Sequence, residues 1–441
     1  MTLKETHDYI ISSYSEGRKH DFSTILNLLE KLGDPQQGKK FIHVAGTNGK
    51  GSVCAMLSSV LNAAGYSVGL YTSPHLLKYN DRFKLNGADI SDEDLARHIS
   101  RVKDVEDSAN RLSFFQLLTL CAFSYFDEKN PDYIILETGI GGRLDVTNVI
   151  ESPMVSVITK ISVDHADILG HDISEIAAQK SGIVKKNCKT VLYFQDDSLY
   201  NETGEVVYGV VEEVCSRLNA VLYCPNDLAV NEVRSDINGT EFSAFCRYFG
   251  YNRIKLNIPG KHQIYNACCA LTVVEALKDS GVVVLDEAIY EGLSQTKWAG
   301  RMEVVSQNPT IILDGAHNPD GIRALFLSLN EYFPNVSITV VFAALKDKQY
   351  EEMAEIIATS AACVKNVIAT EPSYKKRAET ADELVAIFRE KFNFVEKSVN
   401  IYAETDFEKA EDTAIKITDS NEIICFCGSL YLIGDIRSDF Q

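Results

Sequence analysis

The chain has 441 residues, 62 of them acidic and 43 basic, for a net charge of −19 at pH 7. Hydrophobic residues make up 45% and charged residues 24%, proportions that exclude a mainly disordered chain and predict two to four domains of ~100–200 residues each. The acidic excess repels phosphodiester backbones and anionic lipid, so neither nucleic acid nor a membrane surface is expected as a partner, while a local basic pocket for a small anion is compatible.

No uninterrupted apolar run approaches the ~20 residues that span a bilayer. The first residues, Met1 to Asp21, lack the apolar core and small-residue cleavage site of a signal peptide, and a cytoplasmic location is expected. Eleven cysteines include no CxxC pair. Cys54, Cys121, Cys268 and Cys269 fall in helix-like apolar stretches, and Cys425 and Cys427 alternate along a strand-like run. Buried free thiols in a reducing compartment are predicted.

In chain order, strands are predicted at Phe41–Ala45, Ser67–Tyr71, Tyr133–Glu137, Val155–Thr159, Thr190–Phe194, Thr310–Leu313, Ser337–Phe342, Asn366–Thr370 and Glu422–Phe426. Helices are predicted at Ser23–Leu32, Ser52–Ala64, Ser113–Glu128, Ile173–Ile183, Asn266–Asp279, Pro319–Tyr332 and Asp382–Lys391. This alternation argues for parallel sheets with helices on both faces. It breaks between Ser198 and Pro259, where short alternating runs (Val221–Cys224, Glu241–Arg247) and the turn pairs Asn238-Gly239 and Pro259-Gly260 predict a small antiparallel addition to the first domain. A boundary near residues 292–302 divides the chain into domains 1–296 and 297–441.

The strongest motif is Phe41-Ile-His-Val-Ala-Gly46-Thr47-Asn48-Gly49-Lys50-Gly51-Ser52. An apolar strand enters a loop of three glycines, a lysine and a serine, and a helix follows at once. Glycines let backbone N–H groups converge on phosphate, and the helix N-terminus adds partial positive charge. Lys50 would reach the β- and γ-phosphates of a nucleotide, and Ser52 could help hold Mg²⁺. The usual G-x-x-x-x-G-K-[ST] spacing is not met: Val44 stands at the first glycine position and Gly51 follows the lysine.

Glu137 ends an apolar strand and opens Glu137-Thr-Gly-Ile-Gly-Gly-Arg-Leu-Asp145. Open α/β sheets place ligand groups at such strand ends, and a carboxylate there could hold Mg²⁺ beside phosphate. Taken alone, Glu137 reads equally as an ordinary strand-end carboxylate. A third strand leads to Thr159-Lys-Ile-Ser-Val-Asp-His165, where His165 stands either as a structural residue or as a ligand near the other two strand ends. Lys180 lies in the otherwise apolar run Ile176–Ile183, and its ordinary reading is a stem that reaches out to solvent. In the second half, Asp314-Gly-Ala-His317-Asn-Pro319 again follows a strand, and Asn318 before Pro319 also reads as a helix N-cap.

These motifs, with Tyr71-Thr-Ser73-Pro-His-Leu76, Val163-Asp-His165, Lys180-Ser-Gly-Ile183, Ala299-Gly-Arg301 and Cys427-Gly-Ser429-Leu430, stand in the order found in folylpolyglutamate synthases. The chain resembles that family over nearly its full length, including its bifunctional dihydrofolate synthase members, and so the wider Mur ligase group. The resemblance implies an α/β fold in which a P-loop NTPase-like parallel-sheet domain precedes a smaller Rossmann-like domain. It implies an ATP-dependent ligase that phosphorylates a folate or dihydropteroate carboxylate and joins it to L-glutamate through an acyl phosphate.

By position, Thr47, Asn48, Gly49, Lys50, Gly51 and Ser52 would bind the ATP phosphates, completed by Asn266, Arg301 and Asp314. Ser73, Glu137 and His165 match the family's magnesium ligands, and two ions are implied. Lys180 matches its N6-carboxylated lysine. His317, Lys346 and Ser429 match contributors to the glutamate and phosphate site, with His317 counted among the catalytic residues. Leu144, Asp145 and Phe114-Phe115-Gln116 match pterin-binding positions of the bifunctional members. A monomer is expected. The alternative reading is a P-loop GTPase or regulatory nucleotide-binding protein, which lacks here the guanine-reading N-K-x-D. A muramyl-peptide ligase would carry a UDP-sugar domain before the loop, for which the 45 residues preceding Gly46 are too few.

Overall fold

A computed structural model describes residues 1–14, 21–107, 111–194 and 203–440. It divides into two compact units: residues 1–230, 244–251 and 265–296, and residues 231–243, 252–264 and 297–441.

In the first part of the chain, α1 (Leu3–Ser13) and α2 (Phe22–Lys31) precede β1 (Phe41–Ala45), α3 (Lys50–Ala63), β2 (Val68–Tyr71), β3 (Phe83–Leu85) and β4 (Ala88–Asp89). Next come α4 (Asp92–Val105), α5 (Phe114–Lys129), β5 (Tyr133–Glu137), β6 (Val155–Ile158), α6 (Ala166–Leu169), α7 (Ile173–Lys180), β7 (Lys189–Leu192), α8 (Thr203–Leu218) and β8 (Val221–Tyr223). These strands form an eight-stranded sheet in the order β4-β3-β2-β5-β1-β6-β7-β8. All neighbours from β2 to β8 pair in parallel, and β3 and β4 add an antiparallel edge. Register sets Val44 opposite Glu137 and Ala45 opposite Ile158, so the carboxyl ends of β5, β1 and β6 lie side by side.

The strands β1, β2, β5 and β6 are buried at every position, as expected for a sheet covered on both faces. One core joins α1, α2, α4 and α5 to this sheet through Ile25, Leu29, Phe41, Phe123, Phe126 and Leu136. Another packs Ile176, Val207 and Val211 against Ile158 and Leu192. Burying each such side chain contributes about 1.5–3 kcal/mol.

β9 (Ala229–Asp236), β10 (Gly239–Cys246) and β11 (Phe249–Leu256) form a separate three-stranded sheet in the order β11-β10-β9. The two-residue connections between them require antiparallel pairing. Residues 231–243 and 252–264 of this region cluster with the second unit and 244–251 with the first. Ser198, where the sequence pattern first changes, lies outside the described residues. After this sheet come α9 (Lys261–Lys278) and α10 (Asp286–Gln295). Helix α9 starts five residues before the predicted Asn266, because the polar Lys261-His-Gln263 already forms its first turn.

The second sheet is built from β12 (Glu303–Gln307), β13 (Thr310–Leu313), α11 (Pro319–Tyr332), β14 (Ile338–Phe342), α12 (Tyr350–Thr359) and β15 (Val364–Thr370). α13 (Ala381–Phe394), β16 (Asn400–Glu404), α14 (Phe407–Ile417), β17 (Ile423–Cys427) and α15 (Leu430–Arg437) complete it. Its order is β12-β13-β17-β14-β15-β16, parallel except at β12. The loops after β13, β17 and β14, which carry Asp314, Ser429 and Lys346, therefore leave three adjacent strands. Asn318 caps α11 by accepting the Gly321 N–H at 2.8 Å, with Pro319 at the first turn.

All eleven cysteines are free, and nine are buried. No helix among the described residues is long and apolar enough to cross a membrane.

Candidate active site

The loop after β1 is clamped from one side. The Lys160 carbonyl accepts the N–H groups of Thr47 at 2.8 Å and Asn48 at 3.2 Å. The Thr47 hydroxyl donates to the Ser162 carbonyl at 2.8 Å and accepts the Ser162 N–H at 3.1 Å. Thr159 Oγ1 donates to the Asn48 carbonyl at 2.8 Å. Gly46 passes so close to Thr159 that a Cβ would sit 1.8 Å from its Oγ1. The Thr47 and Asn48 N–H groups are thus engaged by protein, which leaves anion binding to the first turn of α3.

That turn is built for it. Gly49 caps α3 in the left-handed region (φ 83°), with no side-chain cap bond. A Cβ at Gly49 would lie 2.4 Å from Asn266 Oδ1, so Asn266, on α9, abuts the loop. A helix N-terminus without a cap presents unpaired N–H groups and partial positive charge, and Lys50 adds a full one. Lys50 Nζ reaches the Thr47 carbonyl at 3.1 Å and stands 4.0 Å from Glu137 Oε1. Ser52 is buried in the same turn.

Glu137 is 3% exposed, and its Oε2 accepts the Ser73 N–H at 3.0 Å. Glu137 and Ser73 are therefore neighbours. His165 adopts φ 53°, its backbone N–H donates to Asp164 Oδ1 at 2.8 Å, and its Nε2 lies 3.9 Å from the same oxygen. Among the described residues no three His, Cys, Asp or Glu side chains converge on one point. The donor set fits Mg²⁺ all the same, because this ion takes one or two carboxylates and completes its shell with phosphate and water.

Lys180 does not reach out to solvent. It is 4% exposed, and its Nζ donates to the Gly46 carbonyl at 2.7 Å. The outward reading fails because α7 packs its last turn against the loop after β1, so the amine meets a buried carbonyl before it can reach water.

Beyond Glu137, the loop folds around Asp145. The N–H groups of Gly139 and Ile140 donate to Oδ2 at 2.9 and 3.0 Å, and the Thr147 N–H and hydroxyl donate to Oδ1 at 3.0 and 2.6 Å. Burial raises the Asp145 carboxyl above the ordinary range, and the four donors oppose that rise. Leu144 is 65% exposed beside it. Gly139 lies against Phe115, whose Cζ would be 2.6 Å from an added Cβ. Phe114 stacks on Tyr14 at 3.9 Å, with Arg82 over its ring at 5.1 Å. Gln116 is buried as the N3 partner of the Ser113 capping box on α5.

In the second unit, Asp314 is a buried clasp that accepts the N–H groups of Met302 and Ala316, each at 2.8 Å. Burial raises its carboxyl, and Arg301 pulls the other way. Arg301 lies along Gly315, where a Cβ would come within 2.2 Å of its Nη1. His317 Nδ1 donates to the Gly315 carbonyl at 2.7 Å, which leaves Nε2 as the nitrogen able to accept a proton. Ser429, at the N-cap of α15, has a buried hydroxyl with no partner among the described residues. Lys346 is exposed.

The residues overlooked in the sequence are Thr159, Lys160 and Ser162. Their string was singled out for His165, but nothing in its composition marks these three as the clamp on another strand's loop.

The Mur ligase middle-domain model matches residues 44–274, and the Mur ligase glutamate ligase domain model matches residues 300–430. The dihydrofolate synthase/folylpolyglutamate synthase of Bacillus subtilis is 35% identical over 447 aligned residues, covering 98% of each chain. The folylpolyglutamate synthase of Lacticaseibacillus casei is 33% identical, covering 80% of this chain and 82% of its own. Among solved structures, Mycobacterium tuberculosis folylpolyglutamate synthase complexed with ADP superimposes with a TM-score of 0.89 at 27% identity, covering 99% of this chain and 98% of its own.

The fold and the phosphate loop thus define a Mur-type ligase. Within that class, the chain belongs to the folylpolyglutamate synthase/dihydrofolate synthase family. The comparisons support this reading and not the GTPase alternative.

Proposed function

We propose that the protein is an ADP-forming ligase that joins L-glutamate to the carboxylate of a reduced folate, of dihydropteroate, or of both. The observation that carries this reading is the first turn of α3: an uncapped helix start after Gly49, with Lys50 4.0 Å from the buried carboxylate of Glu137. Full-length likeness to relatives named for both activities supports the substrate class.

In this reading the N–H groups of Gly49 to Ser52 and the Lys50 ammonium hold the β- and γ-phosphates, with Asn266 beside the loop, and Arg301 and Asp314 are the nucleotide-binding positions that the second unit supplies. A carboxylate oxygen of the folate attacks the γ-phosphorus and ADP leaves. The glutamate amine then attacks the acyl carbon of the resulting acyl phosphate, phosphate leaves, and an amide forms. Lys50 neutralises charge that grows on the transferred phosphoryl group. Glu137, Ser73 and His165 would hold Mg²⁺, two ions in all, which would supply further neutralisation. His317 Nε2 is positioned by the Nδ1 bond to take up a proton. Ser429 and Lys346 offer a hydroxyl and a cation to glutamate or phosphate. Phe114, Phe115, Gln116, Leu144 and Asp145 form the acceptor side.

We also propose that Lys180 is N6-carboxylated. A carbamate nitrogen keeps one N–H, so the bond to Gly46 persists while the oxygens gain negative charge suited to a cation. A monomer is proposed, and the burial of nine of eleven free thiols suits a reducing cytoplasm.

ADP release measured with glutamate and each acceptor in turn tests the function. Release is expected with tetrahydrofolate, dihydropteroate or both, and only with glutamate present. No acceptor-dependent release, or a dominant preference for GTP, refutes it.

A further inference from the structure

His43 lies in the middle of β1 with no exposed surface, between the apolar Ile42 and Val44. Burial and the nearby Lys185 push its imidazole down to about 3, so the ring is neutral. Its Nε2 stands 2.8 Å from Thr147 Oγ1, a residue 104 positions later in the chain. That hydroxyl stands 2.6 Å from Asp145 Oδ1.

The proton positions follow from the donors. Four groups donate to Asp145: the N–H groups of Gly139, Ile140 and Thr147, and the Thr147 hydroxyl. A carboxylate so surrounded is an acceptor only. The single Thr147 hydroxyl proton therefore goes to Asp145, and the Thr147 oxygen must accept from His43. His43 is the Nε2–H tautomer, and its Nδ1 has no partner among the described residues. An aliphatic residue would fill this slot with no unpartnered nitrogen, as Ile42 and Val44 do beside it. What the histidine adds is its one bond to Thr147.

We propose that His43 is a positioning residue for the acceptor acid. Through Thr147 it orients the Asp145 carboxylate, which pins the N–H groups of Gly139 and Ile140 and so sets the loop that bears Leu144 and lies against Phe115. The relay runs from β1, the strand that carries the phosphate loop, to the loop after β5. It thereby ties the acceptor side to the nucleotide side at fixed spacing. The inference rests on the reading of residues 114–116 and 144–145 as the acceptor side.

The test compares Thr147→Val, which removes the relay oxygen at constant shape, with Thr147→Ser, which keeps it, and with His43→Leu. In Thr147→Val, which loses the bond to the charged Asp145 as well as the one from His43, the KM for the acceptor should rise about tenfold. In His43→Leu, which loses only a bond to a neutral hydroxyl, it should rise about fivefold, while in both the KM values for ATP and glutamate stay within about twofold. Thr147→Ser should restore the parent value, and the double variant should be no worse than Thr147→Val alone. Hydrogen exchange at Gly139 and Ile140 should quicken in Thr147→Val and not in Thr147→Ser.

Unchanged exchange in Thr147→Val, or an equal rise in all three KM values, overturns the proposal. Exchange does not depend on turnover. If the parent releases no ADP with any acceptor, the functional reading fails, and exchange alone then decides whether the relay holds the loop. If His43→Leu does not fold, the Thr147 pair decides the outcome.

Discussion

Lys50 concentrates the charge logic of the site into one residue. Its ammonium lies between the Thr47 carbonyl and Glu137, half-buried in the first turn of α3, and takes no part in the packed core. Lys50→Ala should lower turnover by about 10²–10³-fold, the cost of removing one preorganised charge donor, with the melting temperature nearly unchanged. ADP release beside a thermal melt checks both halves. Glu137→Gln keeps the shape and the bond from Ser73 but removes the charge. The Mg²⁺ concentration for half-maximal rate should rise, and a titration matching the parent would make Glu137 a purely structural residue.

At the scale of elements, the loop after β1 owes its shape to the segment after β6. Thr159→Val removes only the bond to the Asn48 carbonyl and keeps the side-chain volume beside Gly46. A lost hydrogen bond of about 1 kcal/mol predicts roughly fivefold weaker ADP binding, read by calorimetry, with helix content unchanged in circular dichroism. If affinity holds, the Thr159 bond is dispensable and the Lys160 and Ser162 contacts suffice to hold the loop. The loop glycines and Lys50 were legible in the sequence because they are contiguous and their chemistry is local. The clamp was not, because Lys160 acts through its backbone carbonyl, which carries no sequence signature.

At the scale of the whole molecule, stability should depend on pH through α14. Burial, with Asp439, Asp412 and Glu408 nearby, raises the Glu411 carboxyl from 4.5 to about 7. Between those values the folded state holds a proton that the unfolded state has released. Stability from this group is therefore full below about pH 4.5 and declines as pH rises through 7. Glu411→Gln removes the titration. The variant should gain stability over the parent at pH 8 and lose most of that gain at pH 4.5, as urea midpoints at the two values will show. Parallel midpoints at both pH values would refute this.

Sequence by itself determined the alternation that demands parallel sheets over most of the chain, the phosphate loop with its glycines, and the family. Each of these depends on residues close together in the chain or on the linear order of motifs. The sequence pattern ended that alternation too early: Val221–Cys224, read as part of the antiparallel addition, holds β8, which follows α8 and pairs in parallel with β7 at the edge of the main sheet. Tertiary structure alone decided which strand ends meet. Gly46, Glu137 and Lys160 become neighbours only because β5 and β6 flank β1. It decided that Lys180 turns inward to a carbonyl 134 residues away. It also decided that His43, an unremarked histidine in an apolar strand, meets Thr147. A side chain's direction and its distant partners are set by packing between elements, and packing has no local record in the sequence.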